Sequence, residues 1–310
     1  VTSTVPAIPP FTPWGWVGLA YPVAAATGTL APLLAVTAVA VACAPTLLSR
    51  LTLTLLTAQA TRWEAATSHA TGMELAAAAT VYQAAPKVGR HLRTVRPALR
   101  RPLVFLLRDA VGAARTPVRF ATAALALAAA AALFTLSLVP ESPDWALSAI
   151  AGVILFAALG PFTDGIRHAA SVASDLPLYG ITDERLLAYH TLFPVLATVI
   201  VLVIATAICS LLIGHAIPAI LGSLSLGILA IIARIGNALK GPLPPALLTP
   251  IPTPMGDLGA AARLAWAMDS VLLTALAGAS TALVFQSPVL LVAVSIAPTG
   301  LTFHRWRHRI

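Results

Sequence analysis

The chain has 310 residues, of which 58% are hydrophobic and only 10% are charged. A soluble domain carries about 25% charged residues, so a surface facing water on all sides is excluded. The formal charge is +8, but the Lys and Arg residues flank apolar runs rather than building a basic domain, so duplex binding is excluded and no nucleic-acid partner is expected.

Apolar runs of spanning length recur along the chain. The first lies in Val17–Leu48, where the length rule places a membrane helix over residues 24–48. Trp14, Trp16 and Tyr21 precede it as an interfacial anchor. Residues 50–119 hold eleven of the nineteen Lys and Arg residues, including the run Lys87, Arg90, Arg93, Arg96, Arg100 and Arg101. That run suits anionic headgroups but reads first as an orientation signal. Leu51–Ala85 is alanine-rich and helix-forming. Over Pro97–Pro117, Leu99, Leu103, Leu106 and Leu107 make one stripe, and Arg101, Arg108 and Arg115 repeat every seven residues on another. This predicts a helix lying in the membrane interface, with those arginines among the headgroups.

Further spans are predicted at Phe120–Val139, Ala146–Pro161, Tyr189–Ile213, Ile217–Ile232, Leu264–Phe285 and Val289–Phe303. The fold class expected is therefore an all-α polytopic bundle with about seven spans and a cytoplasmic elbow helix. Its expected parts are an N-terminal segment with the first span (1–49), a cytoplasmic linker and elbow (50–119), and a six-span module (120–310). Seven spans would place all nineteen Lys and Arg residues on one side, leaving Glu141, Asp144 and His215 on the other. The positive-inside rule then predicts a plasma-membrane protein with its N-terminus outside and its C-terminus in the cytoplasm.

Motifs for chemistry are lacking. There is no phosphate-cradling glycine loop ending in Lys, no His-Glu-x-x-His and no Gly-x-Ser-x-Gly. No enzyme activity, metal or cofactor is expected. Cys43 and Cys209 fall in apolar runs and read as small buried hydrophobes. The His304/His308 pair sits among Arg305, Arg307 and Arg309, a cationic setting that disfavours a metal ion. Asp269 is the one carboxylate inside a predicted span. Intramembrane acids mark polar pathways, but this one lies near a helix end, within expected reach of the interface or of Arg263.

The order of several segments resembles the second half of bacterial ABC-2 type exporter permeases. They are Arg62-Trp63-Glu64-Ala65-Ala66, Pro86-Lys87-Val88-Gly89-Arg90, Leu107 to Pro117, Leu176-Pro177-Leu178 with Asp183-Glu184-Arg185, and Pro252-Thr253-Pro254-Met255-Gly256. The resemblance implies an elbow helix at 97–119 followed by six spans. It also implies that the 24–48 span belongs to a first half and that the chain begins within a longer permease. The loop 164–188 would contact a separate ABC ATPase through Asp164, Arg167, His168, Asp175, Asp183, Glu184 and Arg185. A second permease half or a second copy, together with membrane lipids, would be the remaining partners. The reading from another class is a non-transporting membrane scaffold or regulatory protein.

Overall fold

The computed structural model describes residues 27–72, 75–82, 88–89, 100–140, 142–172, 180–213, 216–241, 243–249, 252–253, 256–283 and 288–308. Trp14, Trp16, Tyr21, Lys87, Arg90, Arg93, Arg96, Leu99, Glu141, Asp175, His215 and Arg309 lie outside the described residues.

The chain divides into two compact units. The first contains α1 (Thr27–Leu48), α2 (Leu53–Thr71) and, in its last part, α3 (Leu75–Val81). The second contains Thr71–Ala76 and everything from Gln83 onward. Its helices are α4 (Arg101–Ala114), α5 (Pro117–Ser137), α6 (Asp144–Ala158), α7 (Asp164–Val172), α8 (Asp183–Ile213), α9 (Ala216–Ala238), α10 (Leu258–Ala282) and α11 (Pro288–Arg307). A 3₁₀ turn at Pro161–Thr163 links α6 to α7. Another at Pro245–Leu248 and a two-residue ribbon, Pro252–Thr253 against Gly256–Asp257, occupy the proline-rich segment before α10. Proline cannot donate to a helix ladder, which keeps that segment irregular.

The expectation of about seven spans is corrected. Among the described residues, four helices are long and apolar enough to cross a membrane: α5, α8 as far as Leu211, α9 and α10. A fifth crossing exists if α6 and α7 count together as one span bent by 45°. Two physical facts bear on the third expected span. Helix α6 has 15 residues, about 22 Å of rise, which is short of the roughly 30 Å hydrocarbon core. Pro161 does not end it in a loop, as the sequence implied; the chain turns and continues as α7. Helix α11 has 20 residues and carries His304, Arg305 and Arg307 in its last turn. Helix α1 has 22 residues and no charged side chain. Because the side assignment followed from the span count, seven crossings no longer support an outside N-terminus.

The core of the second unit lies among α5, α6, α8 and α9, where Leu127, Phe134, Leu155, Leu159, Phe162, Phe193, Leu202 and Leu226 are buried. Helices α6 and α10 approach backbone to backbone. Ser148, Ala151 and Gly152 on α6 face Thr274, Ala277 and Gly278 on α10. A Cβ on Gly152 would overlap the Thr274 carbonyl, and one on Gly278 would overlap the Ser148 carbonyl. Small residues four apart on both helices permit this approach, which in lipid replaces the missing hydrophobic drive between helices. The hydroxyls of Ser148 and Thr274 stay satisfied by bonding back to Asp144 and Ser270 of their own helices.

Helix α11 runs parallel to α9. Thr302 donates to the Ile232 carbonyl at 3.1 Å and Arg305 to that of Gly236 at 3.0 Å. The charged end of α11 therefore meets the C-terminal end of α9.

Candidate functional site

Three polar clusters gather at one end of the second unit, where α5 and α8 begin and α6, α9 and α11 end.

The first is built on the break between α6 and α7. A helix that stops inside a membrane leaves carbonyls without partners. Here Arg234 of α9 supplies them: Nε donates to the Phe156 carbonyl at 2.7 Å and Nη2 to those of Phe156 and Ala157. Its guanidinium lies 3.8 Å from the centre of the Phe156 ring. Arg167 donates to the Gly160 carbonyl at 3.2 Å. Asp164, in the first turn of α7, then receives Arg119 at 2.5 and 3.2 Å and Arg167 at 2.8 Å. A carboxylate at a helix start also suits the local dipole. Phe162 and Ile166 anchor the turn in the core.

The second cluster joins α4 to α7 and α8. His190 Nδ1 lies 2.7 Å from Asp109 Oδ2, and both side chains are almost wholly buried. Gly165 of α7 makes the space, because a Cβ there would collide with both groups. Phe105 lies edge-on to His190 with ring centres 5.0 Å apart, and His168 lies edge-on at 6.3 Å. The Nε2 atoms of His168 and His190 are buried without a hydrogen-bond partner.

The third cluster surrounds Asp269 on α10. Lys240 Nζ lies 3.0 Å from its Oδ1, and Arg305 pairs with its Oδ2. Lys240 also donates to the Trp266 carbonyl and sits 4.0 Å from the centre of that indole. Burial lowers the Lys240 ammonium below the usual lysine range, against the pull of Asp269. Arg263, the expected partner of Asp269, instead pairs with Asp257 at 2.8 Å and donates to the Leu247 carbonyl at 3.1 Å. Asp257 caps α10 by accepting from Gly259 N at 2.8 Å.

The residues expected to form a coupling loop thus divide. Asp164 and Arg167 tie α7 to α5 and to the end of α6, and His168 packs edge-on to His190. Glu184 and Arg185 are exposed in the first turn of α8, beside the half-buried Asp183. On α4, Arg101 and Leu103 are exposed, while Leu106, Ala110 and Ala113 pack on the core. Arg108 is half-buried, and Arg115 donates to the Gly89 carbonyl at 3.3 Å.

Sequence reasoning missed Asp109, Gly165, His190, Arg234, Lys240 and Arg305 as members of polar sites. One signal was present: Asp109 lies four residues from Phe105 and three from Leu106, on the apolar side of an amphipathic helix. Among the described residues, no three His, Cys, Asp or Glu side chains are grouped to hold a metal ion.

These features define a polytopic, all-helical integral membrane protein. No protein-family model, curated protein or solved structure gives a significant match to the chain.

Proposed function

We propose that the chain is the permease-type membrane subunit of an ABC exporter, driven by a separate ATPase chain. The observation that most supports this reading is the buried Asp109–His190 pair. It clamps an amphipathic helix lying just ahead of α5 onto α8, the helix whose start carries the exposed charges. A push on Glu184 or Arg185 would pass through one rigid helix to α4, and through α7 to the bend after α6. The positive-inside rule makes the basic end of the second unit cytoplasmic, where an ATPase would reach it, in the plasma membrane. The polar residues would dock the partner and carry no chemistry. A second permease half or a second copy would complete the pathway, and α4 would sit among lipid headgroups through Arg101, Arg108 and Arg115.

The scaffold reading draws on the third cluster. Asp269 is neutralised by Lys240 and Arg305, so this intramembrane acid is closed off rather than presented to a passing solute. One experiment separates the two readings. The chain is purified in lipid with candidate ATPases, and Glu184→Lys and Arg185→Glu are compared with the wild type. The permease reading expects co-purification, stimulated ATP hydrolysis, and loss of both on charge reversal. An inserted protein that recruits no ATPase supports the scaffold.

A further inference from the structure

We propose that His168 and His190, seated on Asp109, form a buried proton-binding site that governs how firmly α4 is held on the bundle. The site is built rather than incidental. Gly165 is the residue that leaves room for the Asp109–His190 pair, and Phe105, which shares α4 with Asp109, covers the His190 ring. With Nδ1–H donated to Asp109, His190 keeps a bare lone pair on Nε2. That atom and His168 Nε2 are buried and unpartnered, a state native interiors rarely tolerate without a role.

The charges around the rings set what the site accepts. Asp109 on α4 is the carboxylate in contact with His190. Arg108, also on α4, acts against a charge on His168. On α7, Asp164 pairs with Arg167 and with Arg119 of α5. Arg234 of α9 is engaged with the end of α6. On α8, Tyr189 packs against Phe105 with ring centres 5.6 Å apart. Asp183, Glu184 and Arg185 lie a turn and more before His190 in the same helix. A proton on His168 as well as on His190 would set two imidazolium rings 6.3 Å apart beside Arg108, an arrangement that like-charge repulsion opposes. The second proton, taken up at acid pH, drives the rings apart and loosens α4, the helix that carries Asp109.

The test uses the full chain in lipid nanodiscs. Imidazole ¹⁵N spectra follow the two histidines between about pH 8 and about pH 5, the range in which histidine changes charge. Hydrogen exchange, corrected for its intrinsic pH dependence, reports the protection of residues 101–114. The proposal expects a two-step titration and about a tenfold fall in protection at the acid step, the effect of one unit of differential proton affinity. His168→Gln should abolish the acid step while leaving α4 protected near neutrality. Asp109→Asn should weaken protection across the whole range. Protection that does not change with pH in the wild type, or an acid step that persists in His168→Gln, overturns the proposal. The wild-type spectra decide independently if a variant fails to fold: rings that titrate independently, or not at all, would equally sink it.

Discussion

Gly152 of α6 is in backbone contact with Thr274 of α10: a side-chain carbon at position 152 would overlap the Thr274 carbonyl oxygen. The obstruction is main chain, so no rotamer change can relieve it. Gly152→Ala and Gly278→Ala should each destabilise the bundle by about 1–3 kcal/mol, the usual cost of overpacking. Gly112→Ala is the control. A Cβ at 112 meets nothing within 4 Å, and the position is exposed in mid-helix, so alanine should stabilise α4 by up to about 1 kcal/mol. Unfolding midpoints in detergent would rank the three. Equal tolerance at 152 and 112 would contradict the close packing.

Asp269 should behave as the hub of a three-membered ion cluster. Asp269→Asn leaves the largely buried Lys240 and Arg305 side chains without their anion and should cost about 3 kcal/mol. Arg305→Gln on its own leaves Asp269 still paired with Lys240 and should cost less. Combining Asp269→Asn with Arg305→Gln should recover part of the loss, because one stranded charge is removed with its partner. Strictly additive losses in that double-mutant cycle would dissolve the cluster.

Arg234 holds the end of α6 through two carbonyls and a ring. Lysine is a point charge without the planar fork, so Arg234→Lys should keep only part of this hold and Arg234→Met none. Orphaned carbonyls cost about 1–3 kcal/mol each when buried, which sets the expected loss for Met. Increased proteolysis or exchange at residues 156–166 would locate the damage. An effect confined to the far end of α9 would refute the capping role.

Ser142 and Thr249 lie at opposite ends of the second unit. Ser142 is in the turn between α5 and α6, whereas the far end of α6 meets Arg234, near the segment carrying Thr249. With Cys43 and Cys209 replaced, single cysteines at 142 and 249 should react with an impermeant thiol reagent from opposite faces of sealed vesicles. Labelling of both from one face would mean that α6 and α7 do not complete a crossing.

Much of the helical plan was legible in the sequence. The apolar runs around 120–139, 189–213 and 217–232 appear as α5, α8 and α9, because in lipid only a helix satisfies its own backbone. The amphipathic stripe through Leu103, Leu106 and Leu107 appears as α4. The count of crossings was not legible. Hydropathy sees a sixteen-residue run ending in Gly160-Pro161, and it cannot see whether the chain leaves the membrane there or bends into another helix. Arg234 decides that locally, by capping carbonyls 77 and 78 residues away in the chain.

The sequence by itself determined the solvent: with 10% charged residues and long apolar runs, this chain folds as helices in a bilayer. Tertiary structure alone decided which charges meet. Asp109 finds His190 at a separation of 81 residues, and Asp269 finds Arg305 at 36 and Lys240 at 29. Composition and periodicity place each residue on one helix and one face. Which face of another helix lies opposite depends on crossing geometry, and here that is set by where glycine lets two backbones touch.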